Sequence, residues 1–227
     1  MITLDNLPHV ITAIGGLGTA SFGLVDSTKV LGGGVNRIGF SRISGAVRKL
    51  TPGAPSKGLT RESIVCTLKA NWYNGTDLPS QKAIAKSLIK VCLTAGNASE
   101  LATVTGVDAD ILSQVAAGIA GGVALSPAQT DVYARFDFIL SAMLDEVYQR
   151  SDQAYTTGTR VVASIFALIL AIIGGWTLHG MATPYFPSND LAIAAIAGIL
   201  ATPLAPIAKD LSSALATAVN TMQAIKK

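Results

Sequence analysis

Three long stretches without a charged side chain dominate this sequence. No Asp, Glu, Lys or Arg occurs in residues 6–25, 161–189 or 191–208. A helix needs about 20 consecutive apolar residues to cross the hydrocarbon core of a bilayer. Half of the chain is hydrophobic, and the hydrophobic residues are gathered in these runs rather than scattered. The sequence therefore predicts an integral membrane protein with about three transmembrane helices.

The second and third predicted spans differ in composition. Residues 160–178 are almost entirely aliphatic or aromatic, which a buried helix of a soluble protein rarely sustains without a polar face. Residues 191–208 are rich in alanine and contain Pro203 and Pro206. Prolines are tolerated in membrane helices because neighbouring groups satisfy the freed carbonyls. The pair removes two amide donors, so we expect a hinge in the third span.

The first predicted span, residues 8–25, is rich in glycine and has an alternative interpretation as a secretory signal peptide. Signal peptides begin with a positively charged segment. In residues 1–7 the only charged side chain is that of Asp5. We therefore expect a retained transmembrane helix that follows a short external N-terminus.

The distribution of Lys and Arg predicts one orientation in the membrane. Of the 17 residues, fourteen lie in 29–160, three follow residue 208, and none occurs in 1–7 or in the loop 179–190. Loops that remain in the cytoplasm carry an excess of Lys and Arg. The sequence thus places the N-terminus outside, and the central domain and the C-terminus in the cytoplasm. The expected location is a membrane, either the bacterial cytoplasmic membrane or a membrane-derived assembly.

Residues 35–50 predict a short basic amphipathic helix next to the membrane. An apolar stripe with helical spacing runs from Phe40 to Leu50, and four cations lie off that stripe. Such a helix lies in the headgroup layer with its cations on anionic lipid. The alternative is a helix that faces a protein core and has a solvated charged side. The candidate headgroup-binding residues are Arg37, Arg42, Arg48 and Lys49.

Residues 56–155 show helical periodicity throughout and no strand-like alternation of useful length. The predicted fold class is therefore all-α, with a helical cytoplasmic domain. Within this domain Lys82, Lys86 and Lys90 form a basic stripe with a spacing of four residues. Like charges at this spacing repel by roughly a few tenths of a kcal/mol per pair. A partner carboxylate or phosphate would relieve the repulsion, and a solvated face is the alternative.

One short segment, residues 100–113, resembles the helix-turn-helix of small bacterial repressors. The positions that match the spacing of that family are Ala102, Gly106, Val107, Leu112 and Ser113. The resemblance implies a tight two-helix turn whose second helix enters the major groove of DNA. The start of that second helix carries Asp108 and Asp110, and residues 56–152 hold eight Lys and Arg against ten Asp and Glu. A DNA-binding face is basic, so nucleic acid is not an expected partner.

Two further helices are predicted, one that leads into the second span and one that follows the third. Ser126 and Pro127 form a good helix start, because serine caps amide groups and proline fits the first position. We expect a long helix from there into the second span, with one weak point at residues 155–158. Residues 210–227 predict an amphipathic cytoplasmic helix that needs a partner. Its apolar positions, at heptad spacing, are Leu211, Leu215, Ala218, Met222 and Ile225.

The sequence lacks the usual arrangements of an active site. We find no nucleophile elbow, phosphate loop, zinc-ligand spacing or carboxylate cluster, and the spans contain no Asp, Glu, Lys or Arg. We therefore expect no enzymatic activity and no cofactor. His9 and His179 are the ionisable residues at the outer ends of spans. We interpret them as interfacial anchors, with a metal or quinone site as the alternative.

The spans are instead rich in small residues, which let helices approach closely where lipid supplies no hydrophobic drive. The candidate packing residues, spaced by four, are Gly15, Thr19, Gly23, Gly16, Ala20, Ala194, Gly198 and Thr202. Our leading hypothesis is a non-enzymatic membrane subunit. It would be a self-associating anchor or scaffold in the lipid bilayer, as a homo-oligomer or as part of a larger membrane assembly. An oligomeric pore is the alternative, and a membrane-tethered regulator is the third hypothesis.

Overall fold

In a computed structural model, the chain is built from α-helices. The structure describes residues 7–30, 32–53, 59–179, 184–186 and 188–225. Within these residues there are helices and turns and no strand, which confirms the predicted all-α fold class. Predictions that fall on residues 1–6, on most of the 180–187 loop and on the side chains of the C-terminal heptad positions lie outside the described residues.

Eight helices follow one another along the described chain. They are α1 (Leu7–Thr28), α2 (Asn36–Leu50), α3 (Arg61–Tyr73), α4 (Leu78–Val91), α5 (Ala98–Thr105), α6 (Ala109–Gly121), α7 (Pro127–His179) and α8 (Asn189–Ile225). The chain divides into two compact units. We call residues 36–155 the central unit, and residues 1–35 with 156–227 the terminal unit. Helix α7 contributes to both.

Among its described residues, the terminal unit contains three helical segments that are long and apolar enough to cross a membrane, judged by length and composition. They are residues 9–28 of α1, the apolar part of α7 and residues 189–207 of α8. The number agrees with the prediction of three spans. The bounds differ in two helices: α1 extends to Thr28, beyond the predicted end at residue 25, and α8 continues without a break through the region predicted as a separate helix from residue 210.

The outward faces of these segments are apolar. On α7, Ile165, Ile169 and Ile173 follow one another at intervals of four residues, and each is about half exposed. Trp176 continues the row and is 66% exposed. In a soluble protein such a face is rare, whereas a helix that contacts lipid or another helix carries it as a rule.

The central unit has its own hydrophobic core, to which α2 to α7 contribute. The core-facing residues recur at the spacing of one helix face. The large fully buried side chains in it are Ile43, Leu50, Ile64, Leu68, Ile89, Leu101, Leu112, Phe136, Leu140, Leu144 and Tyr148. One polar contact fixes α2 against α3, because the indole Nε1 of Trp72 donates a hydrogen bond of 2.9 Å to the carbonyl of Asn36. Trp72 is itself buried.

Close approach of α2 to this core depends on Gly39. A methyl group at Gly39 would lie 2.5 Å from Cζ2 of Trp72 and 2.7 Å from the carbonyl oxygen of Ser151. Both distances are shorter than van der Waals contact, so a larger residue would push α2 away from the ring and from α7. Glycine is thus required here for packing.

Local capping explains where the helices of the central unit begin. Thr60 and Asp77 each accept a hydrogen bond from the amide three residues ahead, at the starts of α3 and α4. At the start of α7, the amide of Ser126 donates to Gln129 Oε1 at 2.9 Å, and the amide of Gln129 donates back to Ser126 Oγ at 3.3 Å. This reciprocal pair is a capping box, and it places the helix start where the sequence predicted it.

Candidate functional site

Small residues form the contacts between helices in the terminal unit. A methyl group at Gly18 of α1 would lie 2.1 Å from the carbonyl oxygen of Ala201 on α8. A methyl group at Gly198 of α8 would lie 2.7 Å from the Cα of Leu168 on α7. The backbones therefore approach each other at both positions as closely as glycine permits.

Two predicted packing residues on α8 lie at this same contact with α7. Thr202 is 9% exposed, and its Oγ1 lies 3.2 Å from Oγ of Ser164. Ala194 is also buried, and its methyl group would be 3.0 Å from a Cβ at Gly175. Together with Gly198, they place the three predicted residues of α8 on one face that contacts α7.

Most residues of the predicted ridge on α1 are exposed among the residues that the structure describes. Gly15 is buried, but Gly16, Thr19, Ala20 and Gly23 are exposed. A Cβ at Gly16 or Gly23 would meet nothing within 4 Å. The role of these four residues in helix contacts stays a prediction, which requires a second molecule.

Of the face of α1 that packs within the chain, sequence reasoning predicted only Gly15 and missed the rest. Gly15, Gly18, Ser21 and Val25 are its buried residues, and Ser21 Oγ donates to the carbonyl of Leu17 at 2.8 Å. This face follows spacings of three and four residues. The signal was present in the sequence, but two small-residue ridges run along the same glycine-rich helix, and spacing alone does not choose between them.

The two histidines have different surroundings. His9 is exposed, whereas the side chain of His179 is 8% exposed and its Nδ1 lies 2.6 Å from Oδ2 of Asp190. The ring of Tyr185 stands edge-on to His179, with 5.3 Å between the centroids. Within the described residues, no group of three His, Cys, Asp or Glu side chains could hold a metal ion. The pair instead links the end of α7 to the start of α8.

His179 and Asp190 also border a cleft of about 540 Å³ in the terminal unit. Its other walls are aliphatic or small residues from α1, α7 and α8. They are Ala13, Ile14, Leu17, Leu170, Ala171, Gly174, Gly175, Leu178, Ile193, Ala194 and Ala197. The cleft is therefore apolar except at the end where His179 and Asp190 are hydrogen-bonded.

The basic stripe of α4 faces carboxylates on α7 within the central unit. Lys86 Nζ lies 3.0 Å from Oδ2 of Asp137, and Lys90 Nζ lies 2.8 Å from Oδ1 of the same residue. Lys82 forms an ion pair with Asp145. Lys86 and Lys90 therefore share Asp137, and Lys82 pairs with the acid eight residues further along α7. The carboxylate partners that the spacing of the lysines indicated lie in the same chain.

These ion pairs shift the titration of two groups. The hydrogen bond from Lys90 is the largest influence on Asp137, and with the bond from Lys86 it outweighs partial burial and lowers the pKa of that carboxyl. Burial alone would lower the pKa of Lys90. Its hydrogen bonds to Asp137 and Tyr133 outweigh burial, so the pKa of Lys90 is raised. Each group is thus held in its charged form.

Helix α2 combines a buried apolar face with exposed cations. Phe40, Ile43, Val47 and Leu50 belong to the hydrophobic core of the central unit. This arrangement corresponds to the second interpretation of the sequence, a helix facing a protein core with a solvated charged side. The predicted headgroup residues Arg37, Arg42, Arg48 and Lys49 are all exposed. Their contact with lipid stays a prediction, and it would have to be made by the cations without insertion of the apolar stripe.

The two prolines predicted as a hinge lie inside α8, which remains helical across both. Pro203 and Pro206 are exposed, while Thr202 and Ala205 beside them are buried. The prolines therefore lie on the outer side of α8, away from the contact with α7. Their action as a hinge stays a prediction.

The segment that resembles a helix-turn-helix does form two helices joined by a tight turn. Helix α5 ends at Gly106, which has a φ of 70° that glycine adopts without strain. Asp108 then caps α6, accepting from the amide of Ile111 at 2.9 Å. The first turn of α6 thus presents exposed Asp108 and Asp110, where a DNA-binding helix would need cations.

Comparisons with known proteins add no relative to this description. A scan against protein-family models, a search of curated proteins and a search of solved structures each find no match.

Proposed function

We propose that this protein is a non-enzymatic integral membrane subunit, a self-associating anchor that displays the central unit as a scaffold in the cytoplasm. The observation that carries the proposal is the continuity of α7. Phe136, Leu140 and Leu144 of this helix belong to the core of the central unit, and the same helix continues into the uncharged run of residues 161–178. Because one helix belongs to both units, holding its apolar end in a bilayer retains the central unit at the membrane.

The exposed apolar faces of the terminal unit support insertion in a bilayer. Burying an isoleucine side chain contributes about 1.5–3 kcal/mol relative to leaving it in water. Several isoleucines of α7 and α8 are about half exposed or more, among them Ile165, Ile193, Ile196 and Ile199. Exposing this apolar surface to water would cost a free energy many times the thermal energy, and contact with lipid would remove that cost.

The outward ridge of α1 supports self-association. Gly16, Thr19, Ala20 and Gly23 leave the helix backbone open on that side. In lipid, helices associate through close backbone contact and not through a hydrophobic drive. A second copy of α1 offers the same small-residue surface, so two copies can pack there with their backbones close together.

The topology is tested with a reporter that is active only outside the cytoplasm. Fusion after Pro184 should give an active reporter, and fusion after Gly75 or Lys227 should give an inactive one. The protein should remain in the membrane fraction after an alkaline carbonate wash. The opposite reporter pattern would reverse the orientation, and release by carbonate would exclude insertion.

The alternative of an oligomeric pore predicts a different measurement. An anchor reconstituted in liposomes should leave an ion gradient intact, whereas a pore should dissipate it. Native mass spectrometry of the detergent-extracted protein gives the copy number in the same preparation. A multimer without ion flux fits the anchor, a multimer with flux fits the pore, and a monomer contradicts self-association.

A further inference from the structure

A groove with a basic rim lies on the central unit between α2 and α7. Its volume is about 470 Å³, and its floor is apolar, built from Ala46, Leu50, Val104, Met143 and Val147. The rim carries the cations Arg42, Lys49 and Arg150 and the carboxylate Glu146. Glu146 is paired with Arg150 at 3.0 Å, so the rim keeps a net charge of about two positive units.

The cations of α2 in this rim differ from the lysines of α4. Each lysine of the α4 stripe has a carboxylate partner on α7. Arg42 and Lys49 are exposed and form no ion pair with any residue that the structure describes. Two exposed cations beside an apolar floor are therefore available for an acidic occupant with some apolar surface.

The same unit carries exposed carboxylates without ion-pair partners on the segment from α5 to α6. Glu100, Asp108 and Asp110 are exposed, and none of them forms an ion pair within the described chain. Asp108 makes only its capping bond to the amide of Ile111. The excess positive charge of α2 and the excess negative charge of this segment are thus separated on one domain, which favours association of one copy with another.

We infer that the α2–α7 groove binds the acidic α5–α6 segment of a second copy of this chain. This inference rests on the proposed function and adds the surface through which the displayed domains pair. Helix α5 contributes Val104 to the groove and ends at the turn that leads to Asp108, so the groove and the acidic segment are neighbours. Two copies related by a two-fold axis fill both grooves at once, and the assembly closes as a dimer.

The test uses two charge-reversed variants of the full-length chain in mild detergent. The groove variant carries Arg42→Glu and Lys49→Glu, and the segment variant carries Glu100→Lys and Asp110→Lys. Asp108 is left in place because it caps α6. Native mass spectrometry measures the dimer fraction against protein concentration, and circular dichroism checks that each variant keeps the helix content and melting of the wild type.

Each variant alone should dissociate at concentrations at least about tenfold higher than the wild type, because like charges then face each other across both contacts. Mixing the two variants should restore the dimer as a heterodimer, since an acidic groove then meets a basic segment. The control variant, Arg48→Glu with Arg135→Glu, makes the same charge change at exposed residues outside the groove lining. It should dimerise like the wild type.

Three results would overturn the inference. A groove variant that dimerises as the wild type does would show that the copies meet through other surfaces, while self-association itself would stand. Loss of a co-purified anionic lipid from the groove variant, with the dimer intact, would assign the groove to a headgroup. A wild-type protein that is monomeric at every concentration would overturn this inference together with the self-association in the proposed function.

Discussion

Gly16 and Gly18 of α1 lie two residues apart and have opposite surroundings. A Cβ at Gly18 meets the backbone of α8, and a Cβ at Gly16 meets nothing within 4 Å. Alanine favours a helix over glycine by about 0.5–1 kcal/mol, so only the surroundings decide the sign of a substitution at each position. The pair is therefore a matched test of packing inside the terminal unit.

We predict that Gly18→Ala lowers the stability of the protein by about 1–3 kcal/mol, because the added methyl group has to displace the backbone of Ala201. Gly16→Ala should be neutral or slightly stabilising. Thermal unfolding in detergent, followed by circular dichroism, measures the difference. Equal melting temperatures for the two variants would contradict the contact between α1 and α8.

At the same scale, the carboxylate of Asp137 accepts hydrogen bonds from two lysines of α4. We predict that Asp137→Asn lowers the free energy of unfolding by about 1 kcal/mol at neutral pH, because the charged hydrogen bonds from Lys86 and Lys90 are lost. The pKa of Asp137 is lowered in the folded protein. The stabilisation that its carboxylate gives the folded state is therefore present above the unfolded pKa of about 3.9, and it is lost as the pH falls through the pKa of the folded protein.

The difference between wild type and Asp137→Asn should thus shrink below about pH 4. The pKa of Lys90 is raised in the folded protein. The stabilisation that its ammonium group gives the folded state is therefore present below the unfolded pKa of about 10.4, and it is lost as the pH rises through the pKa of the folded protein. Thermal melts across this pH range provide the measurement. Asp131→Asn, which removes an exposed carboxylate from the same helix, is the control and should melt close to the wild type at neutral pH.

At the scale of single helices, substitution of the prolines of α8 distinguishes a membrane scaffold from a pore with a gate. We predict that Pro203→Ala with Pro206→Ala changes the copy number or the melting temperature, because two added amide donors alter the helix on its exposed side. Ion flux in liposomes should stay at zero. Flux in the wild type that shifts in this double variant would instead favour the pore.

Helix α2 shows what an amphipathic pattern can and cannot predict. Its bounds, Asn36–Leu50, lie within one residue of the predicted 35–50, because the apolar stripe and the preceding glycines define them. Whether the stripe faces lipid or a protein core depends on residues far along the chain, such as Trp72 and Ser151 beside Gly39. Spacing within α2 contains no information about those partners.

The lysine stripe of α4 shows the same division. The spacing of Lys82, Lys86 and Lys90 indicated that a counter-charge was needed, but its source could not be read from α4 alone. Asp137 and Asp145 lie eight residues apart on α7, more than 45 positions away in the sequence. Lysines and acids that recur at matching spacings on two predicted helices are the signal that could have paired α4 with α7.

At the scale of the whole molecule, the uncharged runs were the strongest signal. They predicted three apolar spans, and three helices of the described chain are long and apolar enough to cross a membrane. The choice between two small-residue ridges on α1 was beyond the sequence, because both ridges follow regular helical spacing and only the position of α8 selects the one containing Gly18. The unselected ridge is the surface that the proposed self-association uses.

The chain has two tryptophans, one in each unit, and they give each unit its own optical signal. Trp72 is 8% exposed and hydrogen-bonded to Asn36, whereas Trp176 is 66% exposed on the apolar part of α7. In vesicles with brominated acyl chains, we predict that the emission of Trp176 is quenched and that of Trp72 is not. Trp176→Phe should abolish the quenching and Trp72→Phe should leave it, and quenching of Trp72 would contradict the proposal that the central unit lies outside the bilayer. Fluorescence of the two variants would then follow membrane insertion of the terminal unit and unfolding of the central unit separately, without any added label.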